Sequence, residues 1–220
     1  MYSSKKIVLD FDGTIFRVFT NYDLHKLVEK IFDLLKGIQT DFTMDSDAFD
    51  AFNCVMNSEL SENAKKELLY QIDNWLKEAE LEALSSGIPI DGFFEFLDAA
   101  KKRSIDIAIV SNNSAECISA FFDYYNIDIS IPIIGRNGVR PETMKPNTYM
   151  LEKMSRVLKC SNTEIIYVGD NYRDYECAVS FGCQFIGMTP TSAKKERLCQ
   201  KVSNITTVDD FYELAIELWK

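Results

Sequence analysis

The chain carries a single histidine, His25, and that residue falls within an amphipathic helical pattern. A chemistry built on an imidazole base is therefore disfavoured, and in an enzyme the proton transfers would fall to carboxylates. His25 itself is expected at the surface. None of the six cysteines (Cys54, Cys117, Cys160, Cys177, Cys183, Cys199) stands in a Cys-x-x-Cys pair, so no zinc site is indicated. Cations are scarce: 24 Lys and Arg face 34 Asp and Glu, for a net charge of −10, and no long basic run relieves the imbalance. A nucleic-acid partner is disfavoured on that ground. No apolar run reaches the length of about 18 residues that a membrane span requires. Met1 to Lys6 leads straight into an apolar strand pattern without an apolar leader, so a cytoplasmic protein with reduced thiols is the expectation. Internal repeats and low-complexity segments are also missing.

What is present is concentrated in Ile7-Val8-Leu9-Asp10-Phe11-Asp12-Gly13-Thr14-Ile15. Three apolar residues running into a turn signal predict a buried strand. Asp10 and Asp12 then lie at its carboxyl end, the edge where ligands bind in open α/β sheets. Two carboxylates so close repel each other, and a hard divalent cation such as Mg2+ is a candidate to offset them. Gly13 permits a sharp turn or a positive φ. An isolated Asp-Gly would signify only a turn or a helix cap. Asp-x-Asp-Gly-Thr is far rarer, expected by chance in well under about 1% of chains of this length.

The rest of the chain, at 220 residues and 46% apolar content, suits one globular domain or one domain with an insertion. Between about residues 17 and 87 the patterns are helical. Asp23 precedes a stripe of Leu24, Leu27, Val28, Ile31, Leu34 and Leu35; Phe49, Phe52, Val55 and Met56 suggest a shorter helix; Ser61 can cap a third that closes near Gly87. From Ile88 onward strands and helices alternate. Asp91 can cap a helix, strands are predicted at 105–110, 131–134, 165–168 and 184–188, and closing helices near 193–201 and 208–219. Such alternation implies a parallel sheet. The helical block interrupts this α/β sheet after its first strand.

Four strand ends bring polar residues to one edge: Asp10 and Asp12, then Ser111 with Asn112 and Asn113, then Lys145 in a loop, then Asp170 and Asp174 in Gly169-Asp170-Asn171-Tyr172-Arg173-Asp174. Each has an ordinary reading as a turn, a cap or a solvated charge. Their order, each after an apolar strand, carries the argument. Asp10-Phe11-Asp12-Gly13-Thr14, Ile109-Val110-Ser111-Asn112, Lys145-Pro146 and Gly169-Asp170 with Asp174 together resemble the haloacid dehalogenase superfamily. The resemblance is to its phosphatase branch with a helical cap after the first strand, most nearly phosphoglycolate-phosphatase-like members.

That resemblance implies an α/β fold, with a doubly wound parallel-sheet core from 1–16 and 88–220 and an inserted α-helical cap at 17–87, and a Mg2+-dependent phosphatase acting on a small phosphorylated metabolite. Asp10 would attack phosphorus and form an aspartyl-phosphate. Asp12 would protonate the leaving group and then activate water. Ser111, Asn112 and Lys145 would hold the phosphoryl oxygens, helped by backbone N–H groups at Asn112 and Asn113. Mg2+ would take the Asp10 carboxylate, the Asp12 backbone carbonyl and Asp170. Asp174 would orient a metal-bound water or hold Lys145. An acid at position 12 is what the superfamily's dehalogenases lack, which favours phosphoryl over halide chemistry. A phosphomutase and a non-catalytic binding protein on the same fold are the alternatives. Arg136 and Arg140 read as solvated charges rather than substrate contacts, and Tyr22 and Asn21 as candidates to line the entrance.

Overall fold

In this computed structural model, residues 5–38, 40–127 and 130–219 are described. The first strand, β1 (Lys6–Leu9), is followed by a two-residue β2 (Phe16–Arg17), then by helices α1 (His25–Leu35), α2 (Asp50–Asn57) and α3 (Glu62–Ala83). The chain returns through β3 (Ile88–Pro89) and α4 (Phe93–Lys102) to β4 (Ile107–Val110) and α5 (Ala115–Tyr124). After β5 (Ile133–Ile134) come α6 (Tyr149–Leu158), β6 (Ile165–Gly169), α7 (Tyr172–Phe181), β7 (Gln184–Met188), α8 (Ser192–Lys201), β8 (Thr206–Val208) and α9 (Phe211–Trp219).

Six strands form one sheet in the order β5-β4-β1-β6-β7-β8, with each pairing parallel. β1, β4 and β6 are nearly continuous apolar runs buried on both faces, as a parallel sheet covered by helices requires. The chain leaves β1 to one side for β4 and to the other for β6. The strand order therefore reverses beside β1, and a crevice opens at its carboxyl end. Side chains alternate across the sheet. Val8 and Val110 join an apolar cluster with α1, α2, α3 and α6, while Ile7, Leu9 and Ile109 join one with α4, α5 and α9. No described helix is long and apolar enough to cross a membrane.

Three details differ from the sequence reading. The pair β2–β3 is antiparallel and joins the two ends of the helical segment; two residues per strand are too few for a periodic signal. Asp91 does not cap α4. Gly92, at φ +77°, takes that position with no side-chain bond, and the Asp91 carbonyl accepts from Phe211 N–H. The segment expected to open the last helix at Val208 ends a short edge strand instead. Thr206-Thr207-Val208 are β-branched and pair with β7, and the helix begins at Phe211.

The ring of Phe121 anchors the turn that follows β1. It meets Phe11 edge-on at 5.3 Å between centroids, Phe16 at 4.9 Å and Phe122 at 5.1 Å, and all four rings are fully buried. Phe121→Ala is expected to lower the unfolding free energy by about 3–5 kcal/mol. Urea denaturation checks this, and a loss below about 1 kcal/mol would show that the cluster does not hold the turn.

Candidate active site

The turn after β1 is built by the backbone. Asp10 N–H continues the ladder to the Val168 carbonyl at 2.8 Å, and the Phe11 carbonyl accepts from Thr14, Ile15 and Phe16. Gly13 adopts φ +84°, and a Cβ there would overlap the Asp170 carboxylate and the Lys194 ammonium. Glycine at this position lets the chain turn and lets Asp170 come close.

Asp10 is buried and receives the Lys145 ammonium at 2.6 Å. The same ammonium donates to Asp174 Oδ1 at 2.6 Å and to the Tyr167 hydroxyl at 2.9 Å. The loop carrying Lys145 is clamped by Asn112, whose Oδ1 accepts from Lys145 N–H at 2.9 Å and whose Nδ2 donates to the Lys145 carbonyl at 3.1 Å. Asp174 lies in the first turn of α7, where its Oδ2 accepts from the N–H groups of Asp170 and Asn171. Asp170 pairs with Lys194. The Ser111 hydroxyl donates to Asn113 Oδ1 at 3.1 Å and accepts from Asn113 N–H at 3.2 Å. Asp10, Asp12, Ser111, Asn112, Lys145, Asp170 and Asp174 line one cavity of about 170 Å3, which Asp47 and Phe49 of the helical segment also border.

The sequence matches the family described as haloacid dehalogenase-like hydrolase over residues 7–188. The chain belongs to this family. Solved structures agree in fold. A Bacteroides fragilis protein named as a haloacid dehalogenase-like hydrolase aligns with a TM-score of 0.72 at 20% identity, over 96% of this chain and 99% of that one. A subfamily IA hydrolase of the same superfamily from Geobacter sulfurreducens aligns at 0.61 and 18%, over 97% and 98%. A Haemophilus somnus protein predicted to be a phosphoglycolate phosphatase aligns at 0.64 and 18%, over 98% of each. No curated protein matches the sequence.

The site of this hydrolase is short of positive charge. Four carboxylates, Asp10, Asp12, Asp170 and Asp174, meet the ammonium groups of Lys145 and Lys194; Arg173 also borders the cavity, but it is paired with Asp50. Burial pushes Asp10 up to about 7, with Asp174 and Asp170 adding to the effect and Lys145 opposing it. Burial likewise pushes Asp12 up to about 7, although Val18 N–H donates to its Oδ1. Burial alone would lower Lys145, but Asp10 and Asp174 outweigh it and keep the ammonium charged. Carboxylate oxygens of Asp10, Asp170 and Asp174 all lie within 4.8 Å of one another. An all-oxygen donor set with two unbalanced negative charges fits a hard divalent cation.

Among the residues expected from sequence, the structure gathers Asp10, Asp12, Ser111, Asn112, Lys145, Asp170 and Asp174. Two expectations shift in detail. The Asn112 side chain is spent on the Lys145 backbone, and Asn113 N–H is spent on Ser111 Oγ. Others fail. Asn21 donates to the Ser86 carbonyl and Tyr22 to Glu82, and neither borders the cavity. Arg140 is exposed beside Glu142, as expected. Arg136 is not a solvated charge: its side chain is wholly buried between Asp73 and Glu80. Tyr167 and Lys194 were missed, because only their partners mark them. Tyr167 reads as one more apolar strand residue, and Lys194 as one of several charges on the polar face of α8.

A carboxyl whose pKa is higher folded than unfolded holds its proton more tightly in the folded state. Its contribution to stability is present at low pH and lost as pH rises from about 4 toward about 7. In chelator, Asp12→Asn is therefore expected to raise Tm at pH 7.5 and change it little at pH 4. Asp12 is half-buried, so the gain falls well below the roughly 4 kcal/mol that a full shift from 3.8 to about 7 would carry. Equal effects of the substitution at both pH values would contradict the assignment.

Proposed function

We propose that this hydrolase is a phosphatase that cleaves a small phosphorylated metabolite by way of an aspartyl-phosphate on Asp10. The observation that carries this reading is the buried Asp10 carboxylate held on Lys145 at the carboxyl end of the central strand, with Ser111 bordering the same small cavity. We take residues 1–16 and 88–220 as the catalytic core and 17–87 as a helical cap that bounds the cavity through Asp47 and Phe49. The six free thiols fit a reducing, cytoplasmic setting.

Asp10 would attack phosphorus with one carboxylate oxygen as the bond to the leaving oxygen breaks. Asp12, held near neutral pKa by burial, would give its proton to the leaving alkoxide. It would then take a proton from the water that attacks phosphorus and returns Asp10. Lys145 and the Ser111 hydroxyl would bind the equatorial oxygens, where charge spreads in the transition state. Asp10 and Asp170, with the Asp12 backbone carbonyl, would hold Mg2+, and Asp174 would keep Lys145 in place. Bound there, Mg2+ supplies positive charge that offsets the repulsion between a carboxylate and a phosphate.

Release of phosphate from an aryl phosphate is expected with Mg2+, to cease with chelator, and to fall by at least about 10^3-fold in Asp10→Asn. Unchanged turnover in the purified Asp10→Asn protein would remove Asp10 as the nucleophile.

A further inference from the structure

A second buried cation lies beside the first strand ends and takes no part in the chemistry above. Gly135 brings it there: a Cβ at this position would overlap the backbone of Ala115, so only glycine lets β5 run on against the start of α5. Arg136 N–H then donates to the Asn113 carbonyl at 2.8 Å. Its guanidinium donates to Asp73 Oδ1 at 2.6 Å, to Glu80 Oε1 at 2.6 Å and to the Asn112 carbonyl at 2.9 Å. It also lies 5.5 Å from the ring centroid of Phe49 and 5.8 Å from that of Phe52. Phe49, Phe52, Asp73 and Glu80 all belong to the cap, whereas Asn112 and Asn113 belong to the turn after β4.

Glu80 is fully buried, and its two oxygens accept four hydrogen bonds. Oε1 takes Arg136 Nη1 and Asn113 Nδ2 (3.2 Å), and Oε2 takes Ser114 N–H (3.0 Å) and the Ser114 hydroxyl (2.6 Å). An ionised carboxylate only accepts. Asn113 must therefore turn its Nδ2 toward Glu80, which leaves its Oδ1 facing the Ser111 hydroxyl. A glutamine in place of Glu80 would present an NH2 group to a donor at either end. It would weaken either the Arg136 and Asn113 bonds or the Ser114 bonds, and with them a tie that holds the 111–114 turn in place.

We infer that Glu80 and Arg136 are positioning residues that fasten the cap to the 111–114 turn and so set the place of Ser111 Oγ, which Asn113 N–H holds; when phosphate binds, the Ser111 proton turns from Asn113 Oδ1 to the phosphoryl oxygen. This inference rests on the phosphatase reading, in which Ser111 binds phosphoryl oxygens. Two charged groups buried together cost desolvation unless their bonding is complete. Here the Glu80 carboxylate is fully bonded while Arg136 Nη2 is buried without a partner, and the bonds that are made tie the cap to the loop, so docking of the cap and the shape of the turn are one arrangement.

The test is a double-substitution cycle read by equilibrium binding of inorganic phosphate in the presence of Mg2+, with folding of each variant checked by circular dichroism. Ser111→Ala and Glu80→Gln are each expected to weaken binding about tenfold, and the double variant no more than either alone. Lys77→Ala removes an exposed bond from α3 to Glu116 of α5, loosening the same contact without touching the turn, and should bind phosphate as the parent does. Normal binding by Glu80→Gln beside weakened Ser111→Ala would overturn the inference, as would losses that multiply to about a hundredfold in the double variant. Normal binding by Ser111→Ala would instead overturn the phosphate role of Ser111. Should Glu80→Gln not fold, Arg136→Lys keeps the buried charge, loses the guanidinium fork that spans Asp73, Glu80 and the Asn112 carbonyl, and must show the same non-additivity with Ser111→Ala.

Discussion

The Lys145 ammonium has three protons and three buried acceptors: Asp10, Asp174 and Tyr167. The rest of the structure depends on that match. A charge taken out of water is tolerated when it is paired and its hydrogen bonds are complete, while loss of one partner leaves a buried charge worth about 3–5 kcal/mol. Each acceptor comes from a different place in the chain. Asp10 follows the central strand, Tyr167 lies within its neighbour β6, and Asp174 opens the helix after β6. The parallel pairing of β1 with β6 and the Asn112 clamp on the Lys145 backbone are what bring them to one point. The loop that carries Lys145 has little regular structure of its own, and the ammonium and the Asn112 clamp tie it to the sheet edge.

A second buried cation lies one layer out. Arg136 has carboxylate partners too, though its Nη2 has none, and they lie on the inserted helix α3 rather than on the sheet. One cation joins the strand ends to each other, and the other joins the strand ends to the inserted helices. Between them lies the turn from Ser111 to Ser114, bonded to both. Asp10 and Asp12 show the opposite condition. Burial, with other carboxylates close by, pushes both toward neutral pKa, which costs stability in the metal-free protein and leaves a site open to positive charge. Stability given up at these strand ends is recovered in the aromatic cluster of Phe11, Phe16, Phe121 and Phe122.

Much of this arrangement could be read from the residues. The central strand and its two acids are local: three apolar residues, Asp-x-Asp and Gly-Thr suffice. The alternation after Ile88 and the helical stretch before it follow from periodicity, so the parallel sheet and the inserted helices were both legible. Ser111, Lys145 and Asp174 were legible only as a set, since each alone has an ordinary local role. Arg136 and Glu80 could not be read, because a charge is buried only by partners distant in sequence; Arg136 in a Gly- and Pro-containing loop looks solvated until Glu80, 56 residues earlier, is placed against it. The edge strand at Thr206–Val208 was hidden by its length, and the start of α4 by a glycine whose backbone replaced the expected Asp91 cap.

The most direct test of this account is to quench the enzyme during turnover of an aryl phosphate with Mg2+, reduce it with borohydride, and map the protein by mass spectrometry. Hydride reduces an acyl phosphate to the alcohol, so an aspartyl-phosphate becomes homoserine. Homoserine at position 10, dependent on substrate and absent without it, is the predicted result. Reduction at another carboxylate, or steady turnover with position 10 unmodified under conditions that trap acyl phosphates, would contradict it.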